Sequence, residues 1–180
     1  DYETAKERLE SYLRDSIKIR MISDVPLGIF LSGGIDSSLI AYLAQDMSES
    51  KIKTFSIKFN EQKFDESIYA ERVASIIKSD HKTILCDYEE GLDLINNFHY
   101  YYDEPFADAS AIPSLLLSKH TRKHVTVALS GDAGDESFLG YNRYDSIEKW
   151  SWFFGIPSPL RKLAYFLFKI FPNDRLQIYN

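Results

Sequence analysis

The 180 residues, 44% hydrophobic and 27% charged, are enough for one domain with a sizeable core and have the balance of an ordinary globular chain rather than a disordered one. The 21 Lys and Arg against 27 Asp and Glu leave a formal charge of -6, which excludes a broad nucleic-acid footprint but not a small basic pocket. The single cysteine, Cys86, excludes an intramolecular disulfide, and no apolar run approaches the roughly 18 residues of a membrane span.

Asp1-Tyr2-Glu3 has neither the basic region nor the apolar core of a signal peptide. A cytoplasmic protein is therefore expected, with no membrane and no nucleic-acid partner. The missing initial Met points to a piece of a longer chain.

Residues 3–22 place Ala5, Leu9, Leu13 and Ile17 at i,i+4 spacing, an amphipathic helix. Residues 25–31 are an apolar run of strand length, as in a buried parallel strand. Residues 35–47 read as a helix with Leu39, Ile40, Leu43 and Met47 on one face. Residues 52–59 alternate as a second strand. Residues 65–78 carry the helical stripe Ile68, Tyr69, Arg72, Val73, Ile76 and Ile77. A third strand follows at 82–86, helices at 89–101 and 112–122, a fourth strand at 125–129, and then a short helix. Strand and helix alternate, which implies right-handed crossovers and an α/β, doubly wound parallel sheet with flanking helices. In such sheets the ligand lies beyond the C-terminal ends of the strands.

After Tyr144 the chain turns aromatic, with Trp150, Trp152, Phe153, Phe154, Phe166, Phe168 and Phe171. A helical extension is expected there, interrupted near Pro157 and Pro159. The expected division is a domain over 1–145 and an aromatic helical segment over 146–180 that begins a further lobe.

The first strand runs into Leu31-Ser32-Gly33-Gly34-Ile35-Asp36-Ser37-Ser38. A strand, a small-residue turn and a helix N-terminus bind anions, because free N–H groups and the helix dipole converge on one place. The glycines let a phosphate approach the backbone. No Lys follows them, so the loop is not Walker A, and it is not G-x-G-x-x-G. It matches the S-G-G-x-D-S phosphate loop of ATP pyrophosphatases. Ser32, Ser37 and Ser38 can donate hydroxyls to phosphate. Asp36 repels phosphate but suits Mg²⁺, which bridges carboxylates to phosphates. The plain alternative is a strand-to-helix turn with a serine cap.

A second turn, Ser130-Gly131-Asp132-Ala133-Gly134-Asp135-Glu136, follows the fourth strand. Its crowded acids are costly unless a cation is present. Asp135 is the best second Mg²⁺ ligand, and Asp132 or Glu136 could handle protons or position a cationic group. The alternative is a solvated acidic loop capping the next helix.

These two blocks, with Asp103-Glu104-Pro105, Asp108-Ala109-Ser110-Ala111-Ile112-Pro113, Phe64-Asp65-Glu66 and Gly140-Tyr141-Asn142-Arg143-Tyr144, resemble the synthetase domain of glutamine-hydrolysing asparagine synthetases over about residues 5–145. The resemblance implies a PP-loop, adenine nucleotide alpha hydrolase-like fold and the ATP-dependent amidation of aspartate, or of another carboxylate acceptor, through an acyl-adenylate. ATP and Mg²⁺ are the implied cofactors. Ammonia comes from a glutaminase domain outside these residues, and the full-length form is a possible homodimer. A nucleotide-binding piece without turnover is the third expectation. Carried over residue by residue, Leu31, Ser32, Gly33, Gly34, Asp36, Ser37 and Ser38 match the pyrophosphate loop. Ile57 matches the adenine contact, and Ser130 and Gly131 match further ATP contacts. Asp36 and Asp135 match the magnesium-holding acids. Asp132 matches an acid implicated in forming the acyl-adenylate and admitting ammonia. Glu136 and Tyr141 lie at substrate-facing positions.

Ala133, Ser137 and Leu139 stand where the family usually has Gly, Leu and Gly. Leu139 requires φ below zero unless the backbone is strained. A downstream Lys-containing segment of the family also falls outside these residues. His81, His99, His120 and His124 show no metal-ligand spacing and read as structural. Lys119, Arg122, Lys123 and His124 suit the end of a helix dipole.

Overall fold

The computed structural model describes residues 1–60, 65–86, 88–104 and 108–170. Phe64 and Pro105, named in two of the sequence blocks, lie outside the described residues. The chain divides into two compact units, one from Asp1 to Ala133 and one beginning at Gly134.

The first unit follows the strand–helix alternation: α1 (Tyr2–Arg20), β1 (Leu27–Phe30), α2 (Ile35–Asp46), β2 (Lys53–Lys58), α3 (Ser67–Ile77), β3 (Asp80–Leu85), α4 (Tyr88–Asn96), a 3₁₀ turn (Phe98–Tyr100), α5 (Ala111–Thr121) and β4 (Val127–Leu129). All pairings are parallel, in the order β3-β2-β1-β4. Sequential crossovers carry the chain from β1 to β2 to β3. It then returns to the far side of β1 to lay down β4. The strand order therefore reverses between β1 and β4, and in open α/β sheets the ligand crevice opens at such a point.

Helices cover both faces. Register places Ile29 beside Thr54 and Leu129, and Thr54 beside His81, so these side chains share one face. There Ile29, Leu31, Ala41, Leu43, Ala44, Ala70 and Ala74 form the core, joined by Ile17 of α1. Phe55 points to the opposite face, where α5 packs on β2 and brings the buried Leu116. Three consecutive residues, Thr54, Phe55 and Ser56, are fully or almost fully buried, as expected of a strand covered on both sides.

The buried hydroxyls on β2 are satisfied. Thr54 Oγ1 lies 2.8 Å from both Ser79 Oγ and His81 Nδ1, and Ser56 Oγ lies 3.1 Å from His81 Nε2. Desolvation, partly opposed by Glu71, pushes the His81 pKa down. His81 is thus a structural histidine, held by hydroxyls of its own sheet.

The structure corrects two helical faces. On α3 the buried residues are Ser67, Ala70 and Ala74, with Val73 and Ile77 packed beside them, while Ile68, Tyr69 and Ile76 are exposed. The reason is close approach. The loop after β1 lies on the backbone of Tyr69 and Ala70, and only small side chains fit under it. On α2, Leu39 is exposed, and Ala41 and Ala44 take the inner positions beside Leu43.

An ion pair ties α4 to α5. Glu90 on α4 reaches α5, with Lys119 Nζ 2.6 Å from Oε1 and His120 Nε2 2.7 Å from Oε2. Hydrogen bonds from Lys119 first, then His120, hold the Glu90 carboxyl down at about 2.

The second unit contains α6 (Gly134–Phe138), α7 (Asn142–Lys149), α8 (Ser151–Phe154) and α9 (Ser158–Ile170). Helix is interrupted at 155–157, and Pro159 sits in the first turn of α9, where its missing N–H costs nothing. Trp150, Trp152, Phe154, Tyr165 and Phe166 are exposed.

Candidate nucleotide site

The first loop leaves β1 through Leu31, whose N–H donates to Phe55 O at 2.8 Å. The Leu31 side chain is only 1% exposed, so Leu31 can offer a ligand nothing but its backbone. Gly33 follows with φ +85°, and a Cβ there would come within 2.6 Å of Tyr69 Cβ and 2.7 Å of Ala70 N. Both conformation and space require glycine.

Serine hydroxyls fix the loop from inside. Ser37 Oγ accepts from the Ser32 N–H at 3.2 Å and donates to Gly34 O at 3.3 Å. Ser32 Oγ lies 2.9 Å from Ser37 Oγ and accepts the Gly34 N–H at 3.2 Å. The loop is therefore held in shape before any ligand arrives, which lowers the entropy cost of binding.

The helix that follows is open at its start. Its N-cap is Gly34, in extended conformation, and no side chain caps it. The plain capping alternative is not what these serines do. The N–H groups of the first turn of α2 lack intrahelical partners, as at any helix start. Ser38 Oγ is buried and has no hydrogen-bond partner among the described residues. A buried hydroxyl without a partner is costly. Asp36 is the one acid in this first turn.

The second turn lies against the first. β4 runs beside β1, with Leu129 opposite Ile29, so the two loops leave adjacent strand ends. A Cβ on Gly131 would stand 2.7 Å from Ser37 N and 3.1 Å from the Asp36 carbonyl carbon. Ser130 Oγ donates to Asp132 Oδ2 at 2.8 Å, so Ser130 spends its hydroxyl on anchoring Asp132. Leu31 to Ser38 and Ser130 to Asp132 thus form one continuous surface. Ile57 lies in the C-terminal half of β2, opposite Ile84 and partly buried.

This surface offers backbone N–H groups, hydroxyls and small residues, which suits a phosphate chain bound by backbone and helix dipole. Among the described residues no group of three or more His, Cys, Asp or Glu is arranged to hold a metal ion. Asp36 is the acid that the cradle offers to a magnesium ion.

In the second unit the Tyr141 hydroxyl donates to Glu136 Oε1 at 2.6 Å. That hydrogen bond is the main cause holding the Glu136 carboxyl below its ordinary range, and it pushes the Tyr141 phenol up. The Arg143 guanidinium lies 4.0 Å from the centre of the Tyr141 ring. Arg143 received no role from the sequence, where the only signal was its place two residues after Tyr141 in the Gly140–Tyr144 block. Asp135, on α6, is partly buried.

Two departures from the family pattern are strained. Ala133 (φ 70°) and Leu139 (φ 59°) both take the left-handed conformation. Leu139 does not stay below zero; it adopts the conformation that a glycine holds at little cost.

The asparagine synthase family profile matches residues 8–177. Asparagine synthetase [glutamine-hydrolyzing] 1 of Bacillus subtilis is 38% identical over 95% of this chain and 28% of its own length. A putative asparagine synthetase [glutamine-hydrolyzing] 2 of Methanocaldococcus jannaschii is 45% identical over 75% of this chain and 26% of its own. A protein named amidase chyE, of Penicillium rubens, is 29% identical over 73% of this chain and 22% of its own length. The chain thus spans about a quarter of the length of these relatives. With this match over nearly all of its length, the chain belongs to the asparagine synthase family.

Proposed function

We propose that this chain supplies the adenylating site of a glutamine-dependent asparagine synthetase. The observation that carries the reading is the joined surface of the two loops, with Gly131 on the Ser37 N–H and the Ser38 hydroxyl without a partner among the described residues. The loop N–H groups, including that of Ser37, and the Ser38 hydroxyl would hold the pyrophosphate part of ATP, while the Ser32 and Ser37 hydroxyls keep the loop in shape. Ser130 and Gly131 would border it from the second turn, and Ile57 would meet adenine.

The aspartate side-chain carboxylate attacks the α-phosphorus. The bond to the β-phosphate oxygen breaks, pyrophosphate leaves, and β-aspartyl-AMP remains. Ammonia, released from glutamine by a glutaminase domain, then adds at the acyl carbon and AMP departs, giving asparagine. The chain contributes positioning and N–H dipoles aimed at charge that develops on the phosphates. Asp36 and Asp135 are the proposed magnesium ligands; that ion, when bound, would neutralise phosphate charge. Asp132, anchored by Ser130, is proposed to act in adenylate formation, with Glu136 and Tyr141 on the substrate side. A cytoplasmic homodimer is proposed for the full-length protein.

Aspartate-dependent exchange of labelled pyrophosphate into ATP by the full-length protein tests this, and AMP must form in step with asparagine. Absence of exchange with any carboxylate overturns adenylation. Exchange with another carboxylate and not with aspartate supports a second reading, amidation of a different acceptor. The similarity to a protein named amidase favours keeping that arm.

A further inference from the structure

We propose that a cavity at the N-terminal ends of β2 and β3 is a second ligand site, for a small zwitterion of the α-amino acid class. Its carboxylate would meet Lys51, Lys78 and Ser79, and its ammonium would meet Glu71. The cavity lies at the end of the sheet opposite the two loops, and the inference does not rest on the nucleotide reading.

The cavity has a volume of about 460 Å³ and opens beside the last turns of α3. Sites for small ligands span about 300–1,000 Å³. Among the residues that line it, only Ala74 lacks a polar or charged side chain, so an apolar ligand has little to bury against.

The charges are of both signs. Lys51 and Lys78 form no ion pair among the described residues. Lys78 holds φ 58° at the end of α3, a place that glycine commonly takes. The turn it makes is closed by the Ser79 N–H, which donates to Ala74 O at 3.1 Å and fixes Ser79 at the cavity wall. The one acid is Glu71. The Thr83 hydroxyl donates to its Oε1 at 2.9 Å, which orients the carboxylate and leaves Oε2 for a ligand. An anion alone would face Glu71, and a cation alone would face the two lysines. A ligand that carries both charges is complementary to both.

Ser79 is also the outer end of a buried chain of polar groups. Thr54 Oγ1 lies 2.8 Å from Ser79 Oγ and 2.8 Å from His81 Nδ1, and Ser56 Oγ lies 3.1 Å from His81 Nε2. Desolvation pushes the His81 pKa down, so the ring is neutral and has one proton. Thr54 also has one proton. With the ring proton on Nδ1, His81 donates to Thr54, Thr54 donates to Ser79, and the Ser79 proton is free to point into the cavity. With it on Nε2, the chain reverses and Ser79 spends its proton on Thr54. A bound carboxylate needs the first arrangement, so occupancy selects the Nδ1–H tautomer.

The full-length protein is titrated with L-alanine by calorimetry in saturating MgATP. Propionate and ethylamine serve as the two halves of the probe, and inorganic phosphate as a plain anion. Saturable binding of L-alanine is expected, with the other three at least about tenfold weaker, because each leaves one charge of the cavity unmet. Lys78→Gly removes the ammonium while relaxing the backbone, so it tests the side chain without loss of fold. It and Glu71→Gln are each expected to weaken L-alanine about tenfold. In protein labelled with ¹⁵N-histidine, the His81 signals, assigned by their loss in His81→Asn, should report Nδ1–H in the bound state.

Absence of saturable L-alanine binding overturns the proposal. Propionate or phosphate binding as tightly as L-alanine overturns the zwitterion and makes the cavity a plain anion site. L-Alanine binding that is unchanged in both Lys78→Gly and Glu71→Gln, or seen only without MgATP, places the probe elsewhere and overturns the site. An Nε2–H tautomer in the bound protein overturns the part given to Ser79.

Discussion

Gly131 lies on the backbone of Ser37: a Cβ at Gly131 would be 2.7 Å from the Ser37 nitrogen. The N–H groups at the start of α2 are the proposed anion-binding part of the first loop, and the second turn is pressed against one of them. Gly131→Ala must push the two loops apart. A shift of about 1 Å in such a site can cost on the order of 100-fold in rate. MgATP affinity measured by calorimetry is expected to fall at least about tenfold, while the sheet stays folded by circular dichroism. Unchanged affinity would show that the two loops do not bind one ligand.

Ser38 makes an opposite pair of demands. Its hydroxyl is buried and has no partner among the described residues. An unmet buried hydroxyl costs about 1–3 kcal/mol. Ser38→Ala should therefore raise the stability of the nucleotide-free protein by about 1 kcal/mol in denaturant unfolding. It should also weaken MgATP binding about tenfold, since a hydrogen bond to a charged group is worth about 1.5–3 kcal/mol. A loss of stability without loss of affinity would make Ser38 an ordinary helix residue.

The sheet was legible because strand length, small-residue turns and helical spacing alternate along the chain. The paired loops were legible because both carry their signature within a few consecutive residues. What escaped depends on distance in sequence. The inner face of α3 follows the loop that lands on Tyr69 and Ala70, so Ala70 and Ala74 bury where the larger Ile68 and Ile76 were expected. Thr54 and Ser56 read as plain strand alternation and His81 as a lone histidine, until parallel register sets them side by side. Nothing local to Glu90 reveals that α5 returns to it. Arg143 over Tyr141 likewise needs the reversal at Leu139.

Ala133 and Leu139 hold left-handed backbone without being glycine. That conformation costs a side chain about 1–2 kcal/mol. Glycine relieves it but returns part of the gain as freedom in the unfolded chain, about 0.4–1 kcal/mol. Ala133→Gly and Leu139→Gly are each expected to stabilise by about 0.5–1 kcal/mol in denaturant unfolding. Destabilisation by either would mean that the side chain, rather than the backbone, determines the local path.

Glu90 links α4 to α5, and its effect has a defined sign in pH. The folded carboxyl titrates at about 2 against an ordinary 4.5, because Lys119 and His120 bond its charged form. Its stabilisation is fully present above about pH 4.5 and fades as pH falls toward 2. The unscreened shift overstates the energy, since Lys119 is half exposed and such pairs are screened by water. About 1 kcal/mol remains. Glu90→Gln should lower unfolding stability by that amount at pH 7 and by progressively less between pH 4.5 and 2. A difference between wild type and variant that stays constant over that window would mean that the ion pair contributes nothing and the variant acts through packing. The Lys119 ammonium, raised by the same hydrogen bond, gives the mirror test. Lys119→Met should remove most of the acid-side dependence, because the first and largest cause of the Glu90 shift goes with it.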